Sequence, residues 1–295
     1  MHDAAYYIQL LLSGVTVGSL YALIAIGYTM VYGILRLINF AHGDIFMMAG
    51  FFMVYISATC SLAISIPLVL ILTVILGVLI EKAAYKPLRT APRMSVMISA
   101  IGVSYLLQNL ATYITGGIAR AYPDIPVLTK VMQMGSLSVK RITIITPILT
   151  IVLVVALVLL INHTKIGMAM RAVSRDFETS QLMGIKINSV ISMTFVIGSF
   201  LAGVASILYF ANYGQVSPMI GAMPGLKAFV AAVFGGIGSI PGAVIGAFII
   251  GICESFIKAN ENIAVFSNAF TFALLIIILL CKPNGLFGEK LTEKV

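Results

Sequence analysis

The chain has no tryptophan, only three cysteines and very little charge: Asp, Glu, Lys and Arg together make up 9% of its 295 residues. Each scarcity excludes something. Cys60, Cys253 and Cys281 lie far apart in apolar surroundings, which fits neither a zinc spacing nor a disulfide framework, so they read as small packing residues. No G-x-x-x-x-G-K-[ST] run occurs, so the chain has no phosphate loop of its own. HExxH, CxxC and G-x-S-x-G are missing as well. His2, His42 and His163 are too scattered to form a metal site. A membrane-bound enzyme is therefore poorly supported, and no cofactor is expected on this chain. Short alternating segments, the mark of a membrane barrel, are absent too.

What fills the space is apolar residue. Hydrophobic residues make up 60% of the chain and the mean hydropathy is +1.09, far outside the soluble range. Solid apolar runs cover roughly 8–35, 44–60, 62–82, 95–115, 143–162, 189–212, 228–257 and 264–281. At about twenty residues per crossing this predicts an all-α, polytopic membrane protein of about eight helices, a single transmembrane domain over 1–295. Pro67 and Pro147 sit near the starts of their runs, and Pro283 follows the last one, where it cannot continue a helix. Met1-His2-Asp3 lacks the basic leader of a signal peptide and the first run is too long for one, so that run is expected to stay as a helix.

The net charge of +8 is spread over loops and reads as membrane orientation, with no nucleic-acid partner implied. Lys82, Lys86, Arg89 and Arg93 fall in one short loop, Lys165, Arg171, Arg175 and Lys186 in a second, and Lys282, Lys290 and Lys294 in the tail. The positive-inside rule puts all three in the cytoplasm. Three apolar runs between Lys186 and Lys282 would break that parity. The Gly235-Gly236-Ile237-Gly238-Ser239-Ile240-Pro241-Gly242 stretch resolves it, because Gly costs about 1 kcal/mol and Pro about 3 relative to Ala inside a helix. We expect 228–257 to be a broken hairpin that enters and leaves on the outer side, its break near half the membrane depth. The N-terminus is then outside and the C-terminus inside. The basic residues Arg120, Lys130, Lys140 and Arg141 in the external loop at 116–141 do not support this orientation.

Three polar constellations stand out. Asn39, His42 and Asp44 place an amide, an imidazole and a carboxylate within six residues, between two apolar runs. They read as a gate or substrate-pathway element, or as a capped helix start with Asp44 satisfying backbone N–H groups. Interruptions near 39–44 and 235–242, the second including Gly235, Gly236, Ser239 and Pro241, hint at two related halves around a pathway. The polar run at about 163–187 sets Met170, Val173 and Phe177 on one helical face and Arg171, Arg175 and Glu178 on another, with Gly184 as a stop. This is a surface helix that either rests on lipid or docks into a cytosolic partner, and Phe177 beside charged residues favours a partner. Glu254 and Lys258, spaced i,i+4, read with Glu261 as a solvated helix end. Met47, Met48 and Met53 read as lipid-facing or core filler.

GSLYALIAIGYTMVYGILRLINFAHGD (Gly18–Asp44), GMAMRAVSRDFETSQLMGI (Gly167–Ile185), KAFVAAVFGGIGSIPGAVIGAFIIG (Lys227–Gly251) and the tail KPNGLFG (Lys282–Gly288) resemble the permease subunits of branched-chain amino acid ABC importers. The resemblance covers nearly the whole chain. It implies a bacterial inner-membrane permease importing leucine, isoleucine and valine, paired with a homologous second permease. Two cytosolic ATPase subunits would carry the ATP and Mg, and a periplasmic binding protein would deliver the solute. The segment around Ala172 to Gly184, with Arg175, Asp176, Phe177 and Glu178, resembles the family's ATPase-coupling motif. Two alternatives stay open: an ABC permease for another small solute such as urea or short amides, and a secondary transporter working without ATP.

Overall fold

The computed structural model describes residues 4–89, 91–134, 137–282 and 284–288. In chain order its helices are α1 (Ala4–Leu35), α2 (His42–Ser57), α3 (Leu62–Ile80, continued by a π turn, Glu81–Tyr85), α4 (Arg93–Thr115), α5 (Pro126–Thr129), α6 (Arg141–His163), α7 (Lys165–Arg175), α8 (Phe177–Leu182), α9 (Ile187–Tyr213), α10 (Ala222–Gly235), α11 (Ile240–Lys258) and α12 (Ser267–Cys281). Among the described residues seven helices are long and apolar enough to cross a membrane, and α2 and α10 are shorter apolar helices. The protein is a multi-pass membrane protein, with seven spans and two shorter helices where about eight were expected.

The two ends of the bundle are distinguishable. On one, the basic face, Arg36 at the end of α1 donates to Ser174 O of α7 at 3.4 Å, and Arg89 bonds both Glu81 and Asn188. On the other, the far face, β1 (Arg120–Ala121) pairs antiparallel with β4 (Gln215–Val216), and β2 (Val131–Met134) with β3 (Leu137–Lys140). Helices α4 and α9 both reach the far face and stop on glycines in the left-handed region, Gly116 and Gly214.

The core runs along α1, which is apolar all round, as a helix enclosed by others must be. Against it lies α11, antiparallel. A Cβ added at Gly14 or Gly18 would sit 2.8 Å from the Cα of Ile252 or Phe248, so the two backbones touch through small residues. Helices α3, α4, α6 and α12 bury one edge and expose Ile71, Leu79, Tyr105, Ile151 and Leu280 outward, as lipid-facing spans do. Cys253 and Cys281 are exposed on this outside rather than packed inside, while Met47, Met48 and Met53 lie in the core.

The expected hairpin exists, but deeper than the sequence implied. Helix α10 starts at Ala222, not near 228, and runs down to the basic face, where residues 236–239 turn into α11. That turn is joined to the tail: Leu286 N donates to Phe234 O at 3.0 Å and Phe287 N to Gly235 O at 2.9 Å. The irregular backbone at mid-depth is instead the stretch at 217–221, just before α10. With α9 leaving and α10 returning, the tail as far as Gly288 shares the face of α7. Lys290 and Lys294 lie outside the described residues.

Candidate functional site

After α1 ends, the chain turns back into the bundle and α2 begins at mid-depth. The His42 ring is wedged between α1 and α9: a Cβ on Gly27 would come within 2.1 Å of its Nε2, and one on Gly198 within 3.6 Å of its Cε1. Gly27 lies eight residues from the basic end of its helix, roughly 12 Å, against a hydrocarbon layer of about 30 Å. Tyr28 meets the imidazole edge-on, its centroid 4.9 Å away. Asn39 is fixed beside it, accepting from Tyr85 Oη at 2.8 Å and from Ala41 N at 3.2 Å through Oδ1.

The start of α10 arrives at the same place. A Cβ on Gly43 would lie 2.7 Å from Gly221 O, and one on Gly225 3.0 Å from the Gly43 Cα. Two short helices therefore begin against one another in mid-membrane and run in opposite directions, α2 to the far face and α10 to the basic face. The partner of the Asn39–Asp44 interruption is thus the 217–221 stretch, not 235–242. Gly235, Gly236, Ser239 and Pro241 form the turn on the basic face, where Ser239 Oγ caps α11 by accepting from Gly242 N at 3.2 Å. Ile38, just before the first interruption, and Ile237, within the second, line one closed crease with Tyr28 and Phe229.

Asp44 does not cap its helix, contrary to the local reading. Its oxygens accept from Ser104 Oγ and, at 3.0 Å, from Gln108 Nε2, both on α4. Two other carboxylates are buried among the described residues. Glu81 pairs with Arg89 and accepts from Ser192 Oγ at 2.9 Å. Glu254 accepts from Lys227 Nζ at 2.6 Å and from Tyr21 Oη at 2.9 Å, with Lys258 also on Oε1. The expected solvated end is therefore a buried knot joining α1, α10 and α11: the Glu254 side chain is 1% exposed and that of Lys227 5%, and only Lys258, at 50%, reaches out. Sequence reasoning missed Lys227, although a lone cation within an apolar stretch was visible.

On the basic face, the segment read as one amphipathic helix is two. Thr164 Oγ1 caps α7 by accepting from Gly167 N at 3.1 Å, and Asp176, in extended conformation, caps α8 by accepting from Thr179 N at 3.1 Å and Thr179 Oγ1 at 2.6 Å. Those bonds from Thr179 hold the Asp176 carboxyl below its usual range. Met170 and Val173 pack into the bundle, and Phe177 is half-buried against the same core rather than presented outward. Arg171, Arg175, Asp176 and Glu178 are exposed and Ala172 half-buried. Gly184 ends α8 with φ 82°, and the apolar side chains that face outward beside it are Leu182 and Met183, at 87% and 79% exposure.

Residues 10–279 match the family model described as branched-chain amino acid transport system / permease component. The chain is 40% identical to the high-affinity branched-chain amino acid transport system permease protein BraD of Pseudomonas aeruginosa, over all of both chains. It is 40% identical to the permease LivH of Escherichia coli over 98% of each. A weaker likeness, 27% over 54% of this chain and 44% of the relative, links it to the autoinducer 2 import system permease protein LsrC of Yersinia enterocolitica. No solved structure matches. With a family pattern covering all but the ends and a likeness that runs the full length, the chain belongs to the family of permease components of branched-chain amino acid transport systems.

Proposed function

We propose that this chain is a permease subunit of an ATP-driven importer for leucine, isoleucine and valine in a bacterial inner membrane. The observation that carries the reading is the 40% identity to BraD along the whole of both chains. The basic face is then cytoplasmic, with the C-terminus, and the far face receives solute from a periplasmic binding protein. A homologous second permease completes the membrane unit, and two cytosolic ATPase subunits bring ATP and Mg, for which this chain supplies no phosphate loop. Those subunits dock on α7 and α8, reading Arg171, Ala172, Arg175, Asp176, Glu178 and the Gly184 turn. Exposed Leu182 and Met183 supply the apolar part of that contact, and half-buried Phe177 ties α8 to the bundle. Asn39, His42 and Asp44 belong to the pathway or its gate, and Gly235, Gly236, Ser239 and Pro241 to its cytoplasmic exit.

Reconstitution tests this. The assembled transporter in proteoliposomes should import leucine only with ATP inside and the binding protein outside. Import by the permease alone would favour a secondary transporter. The half-length likeness to LsrC favours a second reading, another small solute carried by the same architecture. ATP-dependent uptake of that solute in place of leucine would support it.

A further inference from the structure

Three of the spans that turn an edge outward, α3, α6 and α12, expose only aliphatic or phenyl side chains between their ends. The outward edge of α4 is divided. Leu106 and Leu110 on one flank suit lipid, but the other flank carries Tyr105, Asn109 and Tyr113 at i,i+4 spacing, all exposed. Tyr105, 61% exposed, lies twelve residues into the helix, roughly 18 Å along a layer of about 30 Å. Its hydroxyl has no partner among the described residues, and neither has the Asn109 Oδ1, since the Asn109 amide nitrogen only bonds back to Tyr105 O at 2.8 Å. Such groups are costly against hydrocarbon. This span is also the least apolar of the seven.

A second feature excludes lipid as well. The 217–221 stretch is irregular backbone at mid-depth, where Met219 holds φ 69° and is 55% exposed. Irregular backbone at that depth must be covered by protein or line a cavity. The two features meet on one side of α2. Gly43 touches Gly221 and Gly225, while the next residue, Asp44, bonds Ser104 and Gln108 of α4. Successive helical residues point about 100° apart. Because α2 and α4 both run toward the far face, one step back from that contact on α2 and one step forward on α4 turn to the same side. Tyr105 and Asn109, one step beyond Ser104 and Gln108, therefore come round to the side that α10 occupies.

We infer that the surface formed by Tyr105, Asn109 and Tyr113 of α4, with Met219 and Met223 at the start of α10, is where the homologous second permease packs. Lipid offers the tyrosine and asparagine no hydrogen-bond partner, whereas a second polytopic chain brings backbone and side-chain partners to the same depth. The exposed methionines adapt to a surface that is related but not identical. The inference rests on the import reading, in which two permeases share the membrane, and adds the face that joins them.

The test uses the complete transporter, with second permease, ATPases and binding protein, carrying a photoreactive benzophenone residue in place of Tyr105, Met223 or, as a control, Ile151 on α6. Illumination should join positions 105 and 223 to the second permease, identified by mass spectrometry, at least tenfold more than position 151. Tyr105→Phe with Asn109→Leu makes the flank compatible with lipid. This double variant should insert normally, yet lower the second permease recovered with the tagged chain at least fivefold. Crosslinks from 105 and 223 confined to lipid, to the same chain or to a second copy of it would each overturn the surface and leave import intact. Equal yield from position 151, or undiminished recovery with the double variant, would overturn it too. An unaltered chain that imports leucine with no second permease bound would instead overturn the import reading.

Discussion

The knot at Glu254 allows a sharp energetic test. Glu254 is shared by Lys227, which is buried, and by Lys258, which is half exposed. Removing the shared anion by Glu254→Gln strands a buried ammonium, and breaking a buried pair from one side costs about 3–5 kcal/mol. Lys258→Ala removes only a partly solvated contact, worth about 0–1 kcal/mol. Removing both buried members, Lys227→Met with Glu254→Gln, leaves no stranded charge and should recover most of the loss, since such pairs are often replaceable by apolar groups. Tyr21 keeps an acceptor in the Gln variant and so should not add to the penalty. Thermal unfolding of the purified permease in detergent reads this directly: the single Glu254 variant should fall by on the order of 10 °C, the Lys258 variant by a few degrees at most. The reasoning is refuted if Lys258→Ala is as harmful as Glu254→Gln, or if the double variant is no better than the single one.

At the mid-membrane joint, Gly27→Ala drives a methyl into the His42 ring and should cost about 1–3 kcal/mol, with His42→Ala restoring part of it in the same melting assay. For docking, Leu182→Ser with Met183→Ser should release the ATPase subunits in detergent, each side chain forfeiting roughly 1.5–3 kcal/mol if it is fully covered in the complex. Phe177→Ala should instead lower the melting temperature of the permease itself, because its ring packs on its own bundle; co-purification and melting separate the two effects. For orientation, a cysteine replacing Asn284 in a cysteine-free background should resist an impermeant thiol reagent in intact cells, whereas one replacing Asp124 on the far face should react. The reverse pattern would invert the topology.

Most of the spans were legible because lipid demands apolarity on every face, and no polar stripe competes with that signal. What was not legible depended on partners distant in sequence. Lys227 shortened the apparent α10, since a lone cation reads as a loop until Glu254, on the next helix, is seen to neutralise it. Glu254 misled in the opposite way: its i,i+4 neighbour Lys258 offered a complete local explanation, and the buried partner was overlooked. Asp44 looked like a cap because it opens a helix, and only the fold brings Ser104 and Gln108 of α4 to its oxygens. The segment from Met170 to Phe177 was read as one helix running through Asp176, whereas it is two, although Phe177 does pack on the same core as Met170 and Val173. The cap from Asp176 to Thr179 was visible in the sequence, and it restarts the period there.

The backbone contact between α1 and α11 has a consequence for biosynthesis. Gly14 and Gly18 rest on Phe248 and Ile252, which the ribosome reaches well over two hundred residues later. At roughly 5–20 residues per second, α1 stays in the bilayer without its partner for on the order of ten seconds or more. Throughout that interval it displays a G-x-x-x-G stripe, a surface on which transmembrane helices readily self-associate. Correct assembly is thus a race between elongation and mispairing of new copies, and slowing synthesis between α1 and α11 should lower the yield of folded protein without altering a single residue.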